Sequence, residues 1–126
     1  MASSRKIITV NNCAALKKEL SGLNLKDSIY ILFSGSPNNK GDSWCPDCVK
    51  AYPVVNKGFE KSPTKSTLIY CLVGDKLSWR DPNNEFRTDP QFFVKRVPTL
   101  LKFGSPKRLE EEKCCKDDLV EMIFEE

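Results

Sequence analysis

The architecture and the chemistry of this chain are both predicted from one stretch, Trp44-Cys45-Pro46-Asp47-Cys48. Two cysteines separated by two residues, near a strand-helix-strand pattern in a chain that looks intracellular, are typical of a dithiol redox pair. Cys45 is expected to end a loop and Pro46 to open a helix, because proline's missing N–H would have no partner there. The two sulfurs then meet across the first helical turn, close enough to form a disulfide.

The position of each sulfur predicts its role. Cys45 faces the unpaired N–H groups at the positive end of the helix, which stabilise a thiolate and lower its pKa from about 8.5 towards about 7 or below. Cys48 lies inside the turn and is more covered. We therefore expect Cys45 to attack a substrate disulfide and Cys48 to resolve the mixed disulfide that forms.

A structural zinc site is the alternative for a cysteine pair at this spacing, and it needs two further ligands. The chain contains no histidine, and its remaining cysteines are Cys13, Cys71 and the doublet Cys114-Cys115. Adjacent cysteines are poorly spaced for two vertices of one tetrahedron. The redox interpretation is therefore preferred and no metal is expected. Cys13 and Cys71 are interpreted as packing residues, and the doublet is assigned no catalytic role.

Length and composition favour one small soluble domain. The 126 residues are expected to form a single domain, 1–126, that folds without metal or disulfide staples. Twenty basic and 17 acidic side chains are mixed along the chain, for a net charge of +3, which gives no reason to expect nucleic acid as a partner. Neither a secretory signal nor a membrane-length apolar run is recognised. We expect a cytoplasmic monomer with reduced thiols and no membrane association.

Apolar runs and turn residues predict alternating strands and helices. Strands are predicted at 6–10, at 29–33, at 67–73, from residue 97 and from residue 107. Helices are predicted after Asn11 or Asn12, from Pro46, from 83 or 84 through Phe93, and over 116–124. The runs at 29–33 and 67–73 are continuously apolar, as in strands covered on both faces. Leu119, Met122 and Ile123 of the last helix are expected to pack on the sheet. The fold class is therefore α/β.

Three features near the cysteines have more than one interpretation. The polar loop 34–43 exceeds a usual strand-helix connection, so it is either a specificity element or a plain surface insertion. Trp44 is expected to form an apolar lip for substrate rather than only a cover for the helix start. Trp79 and Arg80, in the connection 74–84, are candidates for substrate binding, but a loop tryptophan more often packs onto its own domain.

The order of these elements resembles the thioredoxin fold over nearly the whole chain, a central mixed β-sheet flanked by helices on both faces. Pro53 lies inside the cysteine helix as in thioredoxins, and Val97-Pro98-Thr99 is similar to their cis-proline loop. The resemblance implies that Pro98 is cis and lies against Cys45. It also implies that the Val97 backbone pairs with the substrate chain as an added strand. With Trp44 and Pro46, Val97 and Pro98 form the expected substrate-binding surface.

A narrower resemblance comes from longer motifs in the same order. The cysteine motif, the extended loop ahead of it, 81–84 and 97–104 are similar to the family of fourteen-kilodalton thioredoxin-related proteins. This resemblance implies a cytosolic disulfide reductase with no bound cofactor and a redox-active Cys45–Cys48 disulfide. It also implies electrons from NADPH through thioredoxin reductase, and cystine and selected disulfide-containing proteins as substrates.

One departure from thioredoxins concerns the proton on Cys48. Thioredoxins carry a buried aspartate on the central strand as proton acceptor, whereas the run 29–33 contains no carboxylate. We hypothesise that Asp47 helps to deprotonate Cys48; the alternative is that Asp47 only complements the helix dipole.

A different class of function uses the same residues. The chain would then be a binding module without significant turnover, which docks a partner through Trp44, Val97 and Pro98 and uses its redox state as a switch.

Overall fold

A computed structural model describes residues 5–125, which form one five-stranded sheet. The strands in chain order are β1 (Lys6–Val10), β2 (Ser28–Ser34), β3 (Ser66–Leu72), β4 (Thr99–Lys102) and β5 (Arg108–Glu110). Their order across the sheet is β1-β3-β2-β4-β5. β1 and β2 are parallel to β3, whereas β4 is antiparallel to both β2 and β5. The sheet is therefore mixed, with β3 and β2 at its centre.

Helices cover both faces of this sheet. They are α1 (Cys13–Gly22), α2 (Pro46–Phe59), α3 (Lys76–Arg80), α4 (Glu85–Thr88) and α5 (Asp117–Phe124), with a 3-10 helix at Glu111–Cys115. Alternate side chains of β2 point to opposite faces: Ile31 and Phe33 pack with α1, while Tyr30 and Leu32 pack with α2 and α5. The predicted α/β fold of the thioredoxin type is confirmed. Between residues 5 and 125, no helix is long and apolar enough to cross a membrane.

The cysteine motif lies at the N-terminal end of α2 and follows a strand of the sheet. Cys45 is the N-cap of this helix, Pro46 is its first residue, and Pro53 lies inside it, as the sequence predicts. β2, which is buried along nearly all its length, ends at Ser34, so the loop that follows carries the chain from the sheet centre to the helix start. The loop 35–43 therefore connects the end of a core strand to the motif.

The connection after β3 differs from the prediction. Instead of an irregular polar segment it contains α3, whose first turn is capped by Asp75, because that carboxylate accepts a hydrogen bond from the Ser78 N–H at 2.8 Å. The next helix, α4, is capped by Asn84 but ends at Thr88, so Phe92 and Phe93 lie beyond it. Asp89 precedes a proline and takes an extended conformation, as such residues do, which stops the helix.

The closing helix packs through a different stripe from the predicted one. Met122 was expected to pack on the sheet, but it is 60% exposed, while Val120 and Phe124 are fully buried. The stripe is rotated because α5 approaches α2 at Gly58. A Cβ at this glycine would lie 2.8 Å from Val120 Cγ1 and 3.1 Å from Phe124 Cδ2. The missing side chain of Gly58 therefore sets how closely the two helices pack.

Replacing Gly58 with alanine is expected to destabilise the protein by about 1–3 kcal/mol through overpacking. Alanine favours a helix interior by about 1 kcal/mol relative to glycine, so the steric cost has to exceed that gain. Urea unfolding of Gly58→Ala measures the difference. Gly22→Ala is the control, since a Cβ there meets nothing within 4 Å. A Gly58→Ala protein more stable than wild type would contradict the close packing of α2 and α5.

Candidate active site

A disulfide joins Cys45 and Cys48 at the start of α2. Their Cα atoms are 5.2 Å apart, within the range that an unstrained helical turn offers to a bridge. Each cysteine is 5% exposed, so only a small face of the sulfur pair reaches the surface. The two sulfurs meet across the first helical turn, as the sequence predicts, and Cys45 is the N-cap. The greater covering that was expected for Cys48 is not found, because the two residues are equally exposed.

Backbone N–H groups point at both sulfurs. The Cys48 N–H donates to Cys45 Sγ at 3.2 Å, and the Gly35 N–H donates to Cys48 Sγ at 3.4 Å. Both N–H groups are positive ends of peptide dipoles, and the first also belongs to the N-terminal turn of a helix. Negative charge that develops on either sulfur when the disulfide opens is therefore met by a fixed donor.

The loop that ends in Val97-Pro98 forms the opposite wall. The peptide bond between Val97 and Pro98 is cis, as the resemblance to thioredoxins implies. The Val97 carbonyl oxygen lies 3.9 Å from Cys45 Sγ. Pro98 is buried and Val97 is half-buried. The backbone of this loop therefore lies beside the sulfur pair.

Trp44 is held in place by two loops. Its indole N–H donates to the Gly74 carbonyl oxygen at 3.1 Å. Its ring covers Gly35, where a Cβ would come within 2.8 Å of Trp44 Cε2. The Ser36 N–H also donates to the Gly74 carbonyl oxygen, at 2.9 Å. The Trp44 side chain is half-buried, and these contacts fix its position beside the cysteines.

The 3-10 helix contacts both the cis-proline loop and the first turn of α2. The Glu111 N–H donates to the Pro98 carbonyl oxygen at 2.8 Å, and Cys114 Sγ lies 3.6 Å from the same oxygen. Cys115 Sγ lies 3.6 Å from the Asp47 carbonyl oxygen in the first turn of α2. One short segment therefore contacts the cis-proline loop and the cysteine helix together.

Asp47 and Pro46 lie at the surface beside the pair. Asp47 is half-buried and Pro46 is exposed. The structure thus brings the stretch 44–48 and the pair Val97-Pro98 to one place, as the sequence and the resemblance predict. Sequence reasoning missed Gly35, Gly74 and the segment Glu111–Cys115. No periodicity marks these residues, because each acts through contacts with distant parts of the chain.

Cysteines outside the pair are covered by the core. Cys13 and Cys71 are buried with α1 on one face of the sheet, and Cys114 is buried on the other. Burial, helped by Glu85, raises the pKa of Cys13 to about 11, and burial raises the pKa of Cys114 to about 12. Burial, followed by the nearby Asp47 carboxylate, also raises the pKa of the half-buried Cys115. These thiols are therefore protonated at neutral pH.

This distribution predicts selective alkylation of the reduced, folded protein. At pH 8, three pH units below its pKa, only about one Cys13 thiol in a thousand is a thiolate, and Cys114 is less ionised still. Iodoacetamide is expected to modify Cys45 first, with Cys13, Cys71 and Cys114 protected until urea is added. Peptide mass spectrometry over time measures the order. Modification of Cys114 in the folded protein as fast as Cys45 would contradict it.

Comparisons with known proteins agree with this architecture. A family model described as "Thioredoxin domain-containing protein 17-like, thioredoxin domain" matches residues 9–126. The chain belongs to this family. It is similar to Thioredoxin domain-containing protein 17 of Mus musculus, with 50% identity over 99 residues that cover 79% of each chain. The human protein of that name is 48% identical over 99 residues, again 79% of each chain.

Relatives extend to plants. Thioredoxin-like protein Clot of Arabidopsis thaliana is 39% identical over 88 residues, which cover 67% of this chain and 66% of that protein. The fourteen-kilodalton thioredoxin-related family predicted from the sequence is thus confirmed. The chain is a thioredoxin-like redox protein.

Proposed function

We propose that this thioredoxin-like protein is a disulfide reductase that works through Cys45 and Cys48. The observation that carries the proposal is the disulfide at the N-terminus of α2, with the Cys48 N–H on Cys45 Sγ at 3.2 Å and the Val97 carbonyl oxygen 3.9 Å away. A fixed donor beside Cys45 stabilises the attacking thiolate, and a backbone carbonyl beside the same sulfur is a group with which a polypeptide substrate can pair.

The proposed reaction consists of two exchanges. The Cys45 thiolate attacks one sulfur of the substrate disulfide; a Cys45–substrate bond forms, the substrate S–S bond breaks, and the leaving thiolate takes a proton from water. Cys48 then loses its proton and attacks Cys45 Sγ. The Cys45–Cys48 disulfide forms and the second substrate thiolate leaves and is protonated. The substrate gains two electrons and the protein dithiol is oxidised by two.

The proposed substrate-binding surface comprises Trp44, Pro46, Val97 and Pro98. Trp44 is anchored on the Gly74 carbonyl oxygen, so its position relative to the sulfurs does not depend on substrate. Val97 supplies backbone groups for an added strand. Preorganised elements of this kind lower the entropic cost of binding a flexible chain.

The proposed substrates are cystine and selected protein disulfides, and the proposed electron source is NADPH through thioredoxin reductase. The protein is proposed to act as a cytoplasmic monomer, with its dithiol as the redox centre and without a bound cofactor. These proposals rest on the family to which the chain belongs.

Consumption of NADPH tests the reductase directly. Thioredoxin reductase is mixed with catalytic amounts of this protein and cystine as acceptor, and the absorbance of NADPH is followed. The expected result is turnover proportional to the amount of this protein. A rate equal to that of thioredoxin reductase alone would reject reduction of cystine through this system.

Asp47 is proposed to help remove the proton from Cys48. Asp47→Asn is expected to slow resolution of a preformed Cys45 mixed disulfide by about a hundredfold, the lower end of general-base contributions. Rapid-quench measurements of thiol release give this rate without contributions from substrate binding. Asp42→Asn, an exposed aspartate on the preceding loop, is the control. An unchanged rate in Asp47→Asn would mean that Asp47 only complements the helix dipole.

A further inference from the structure

The extended loop ahead of the cysteines folds back on itself. The Asn38 side-chain oxygen accepts hydrogen bonds from the N–H groups of Lys40 at 2.8 Å and Asp42 at 3.0 Å. The Asn38 N–H donates to the Asp42 carbonyl oxygen at 2.8 Å, and an isolated β-bridge joins Pro37 to Ser43. The loop is therefore a hydrogen-bonded hairpin with a defined shape, as a binding wall requires.

This hairpin forms one wall of a surface cavity of about 370 Å³, which opens to solvent and whose other walls are α2 and the ends of β1, β2 and β3. That volume falls within the range of about 300–1,000 Å³ found for small-molecule sites. The apolar lining consists of Pro37, Val49, Tyr52, Tyr70 and Leu72. Cys48 forms part of the wall, so the cavity lies beside the resolving cysteine. The cavity therefore adjoins the redox pair on the Cys48 side.

The residues that line the cavity disfavour a charged ligand. Every residue that lines the cavity lies in the described part of the chain, and none is a lysine, arginine, aspartate or glutamate. Burial raises the pKa of Tyr70, so this phenol is neutral at physiological pH. The polar side chains are hydroxyls, from Thr9, Ser34 and Ser43. A charged group placed here would lose its hydration without gaining an ionic partner, which is costly.

The cavity also has an aromatic wall. Tyr52 stacks on Tyr70 with ring centroids 5.3 Å apart and an interplanar angle of 29°. Tyr70 is buried and its hydroxyl donates to Asn56 Oδ1, whereas Tyr52 is 55% exposed. Tyr52 is therefore positioned to extend a ring stack by one more ring, a contact worth about 0.5–1.5 kcal/mol beyond the buried area.

We propose that this cavity is a specificity subsite, which takes an uncharged aromatic side chain next to the disulfide of a polypeptide substrate. The proposal rests on the reductase function and adds a substrate class to it. It assigns the loop 34–43 the role of a specificity element, the first of its two interpretations. Cystine, which carries charges and no ring, gains nothing from the subsite.

Three disulfides test the preference. They are the symmetric disulfides of N-acetyl-phenylalanyl-cysteinamide and of N-acetyl-seryl-cysteinamide, both uncharged, and cystine. The wild-type protein is expected to reduce the phenylalanyl disulfide with a kcat/KM about tenfold above that for the seryl disulfide, the usual discrimination of an apolar pocket. A ratio near one would overturn the subsite while leaving the reductase proposal intact.

Two variants alter the cavity without touching the cysteines. Thr9→Phe, at an exposed position of β1, fills the cavity with a ring, and Tyr52→Leu removes the aromatic wall. Both are expected to bring the ratio close to one by lowering kcat/KM for the phenylalanyl disulfide more than for the seryl disulfide. Phe93→Leu is the matched control, because Phe93 is 53% exposed and lies outside the cavity lining. Persistence of the tenfold ratio in both cavity variants would also overturn the proposal.

A binding measurement separates the subsite from the reductase. N-acetyl-phenylalaninamide has no sulfur, so its binding to the oxidised protein needs no turnover. It is expected to shift the amide resonances of Gly35 and Val49 in the wild type but not in Thr9→Phe. These shifts would support the subsite even if cystine reduction fails. Their absence at saturating ligand would reject it.

Discussion

Replacing Cys45 with serine is expected to lower disulfide reductase turnover by about a thousandfold or more, since loss of a nucleophile removes the whole covalent route. A serine hydroxyl is not ionised at neutral pH and forms no disulfide, so the Cys48 N–H donor at 3.2 Å has no thiolate to stabilise. NADPH consumption with cystine, at matched concentrations of wild type and variant, measures the effect.

Cys48→Ser is the partner experiment. This variant keeps the nucleophile but lacks the resolving thiol, so it is expected to accumulate a covalent mixed disulfide with the substrate, detectable by mass spectrometry. If Cys48→Ser trapped nothing while Cys45→Ser trapped substrate, the assigned roles would be reversed. If wild type showed no turnover and Cys45→Ser retained full affinity for a protein partner, the redox-switched binding module would be favoured.

Replacing Phe124 with alanine is expected to cost about 3–5 kcal/mol in the free energy of unfolding, as for other buried Phe-to-Ala changes. Phe124 is fully buried and its ring lies 4.6 Å from the ring of Tyr30 and 5.7 Å from that of Phe59, measured between centroids. The variant leaves a cavity where β2, α2 and α5 meet. Urea unfolding of the oxidised protein, monitored by far-ultraviolet circular dichroism, gives the difference.

Met122→Ala serves as the comparison on the same helix. Met122 is 60% exposed, so truncating it is expected to change the stability by about 0.5 kcal/mol or less. A loss below about 1 kcal/mol in Phe124→Ala would mean that the core at α5 reorganises around the gap. A large loss in Met122→Ala would contradict the orientation of α5.

Elements with a strong local signal were predicted from the sequence. The continuous apolar run Ile29 to Phe33 indicates a strand covered on both faces, and β2 extends it by one residue at each end. Pro46 after Cys45 marks the start of α2 because proline suits the first helical position. These features depend on neighbours in the chain, which is why one sequence suffices.

The missed elements depend on contacts between distant residues. The five-residue helix α3 is too short to be stable alone, and it is held by Trp79, which is 5% exposed. The Arg87 guanidinium lies over the Trp79 ring, 3.9 Å from its centroid, so Trp79 packs onto its own domain. The sequence favoured packing for Trp79 but carried no periodic pattern that would reveal the helix around it.

The residues of the candidate site likewise fall into those that the sequence predicts and those that depend on contacts between distant parts of the chain. The cysteine motif was found from spacing alone, whereas Val97 and Pro98 were found through the resemblance to thioredoxins. The cavity beside Cys48 was not predicted, because it exists only where the hairpin formed by 35–43 meets Tyr52 and Tyr70. Its lining comes from three strands and a helix whose relative positions no local pattern encodes.

The contact of the 3-10 helix with both walls of the site has a consequence for biosynthesis. The dithiol emerges from the ribosome more than sixty residues ahead of Glu111–Cys115, which supports the Pro98 carbonyl and the first turn of α2. Domains emerge N-terminus first, at about 5–20 residues per second. Until Glu111–Cys115 packs against the site, one side of the Cys-x-x-Cys pair in the nascent chain is uncovered. Its thiols are then open to non-specific thiol-disulfide exchange. The redox centre is therefore complete only after Glu111–Cys115 has packed against it.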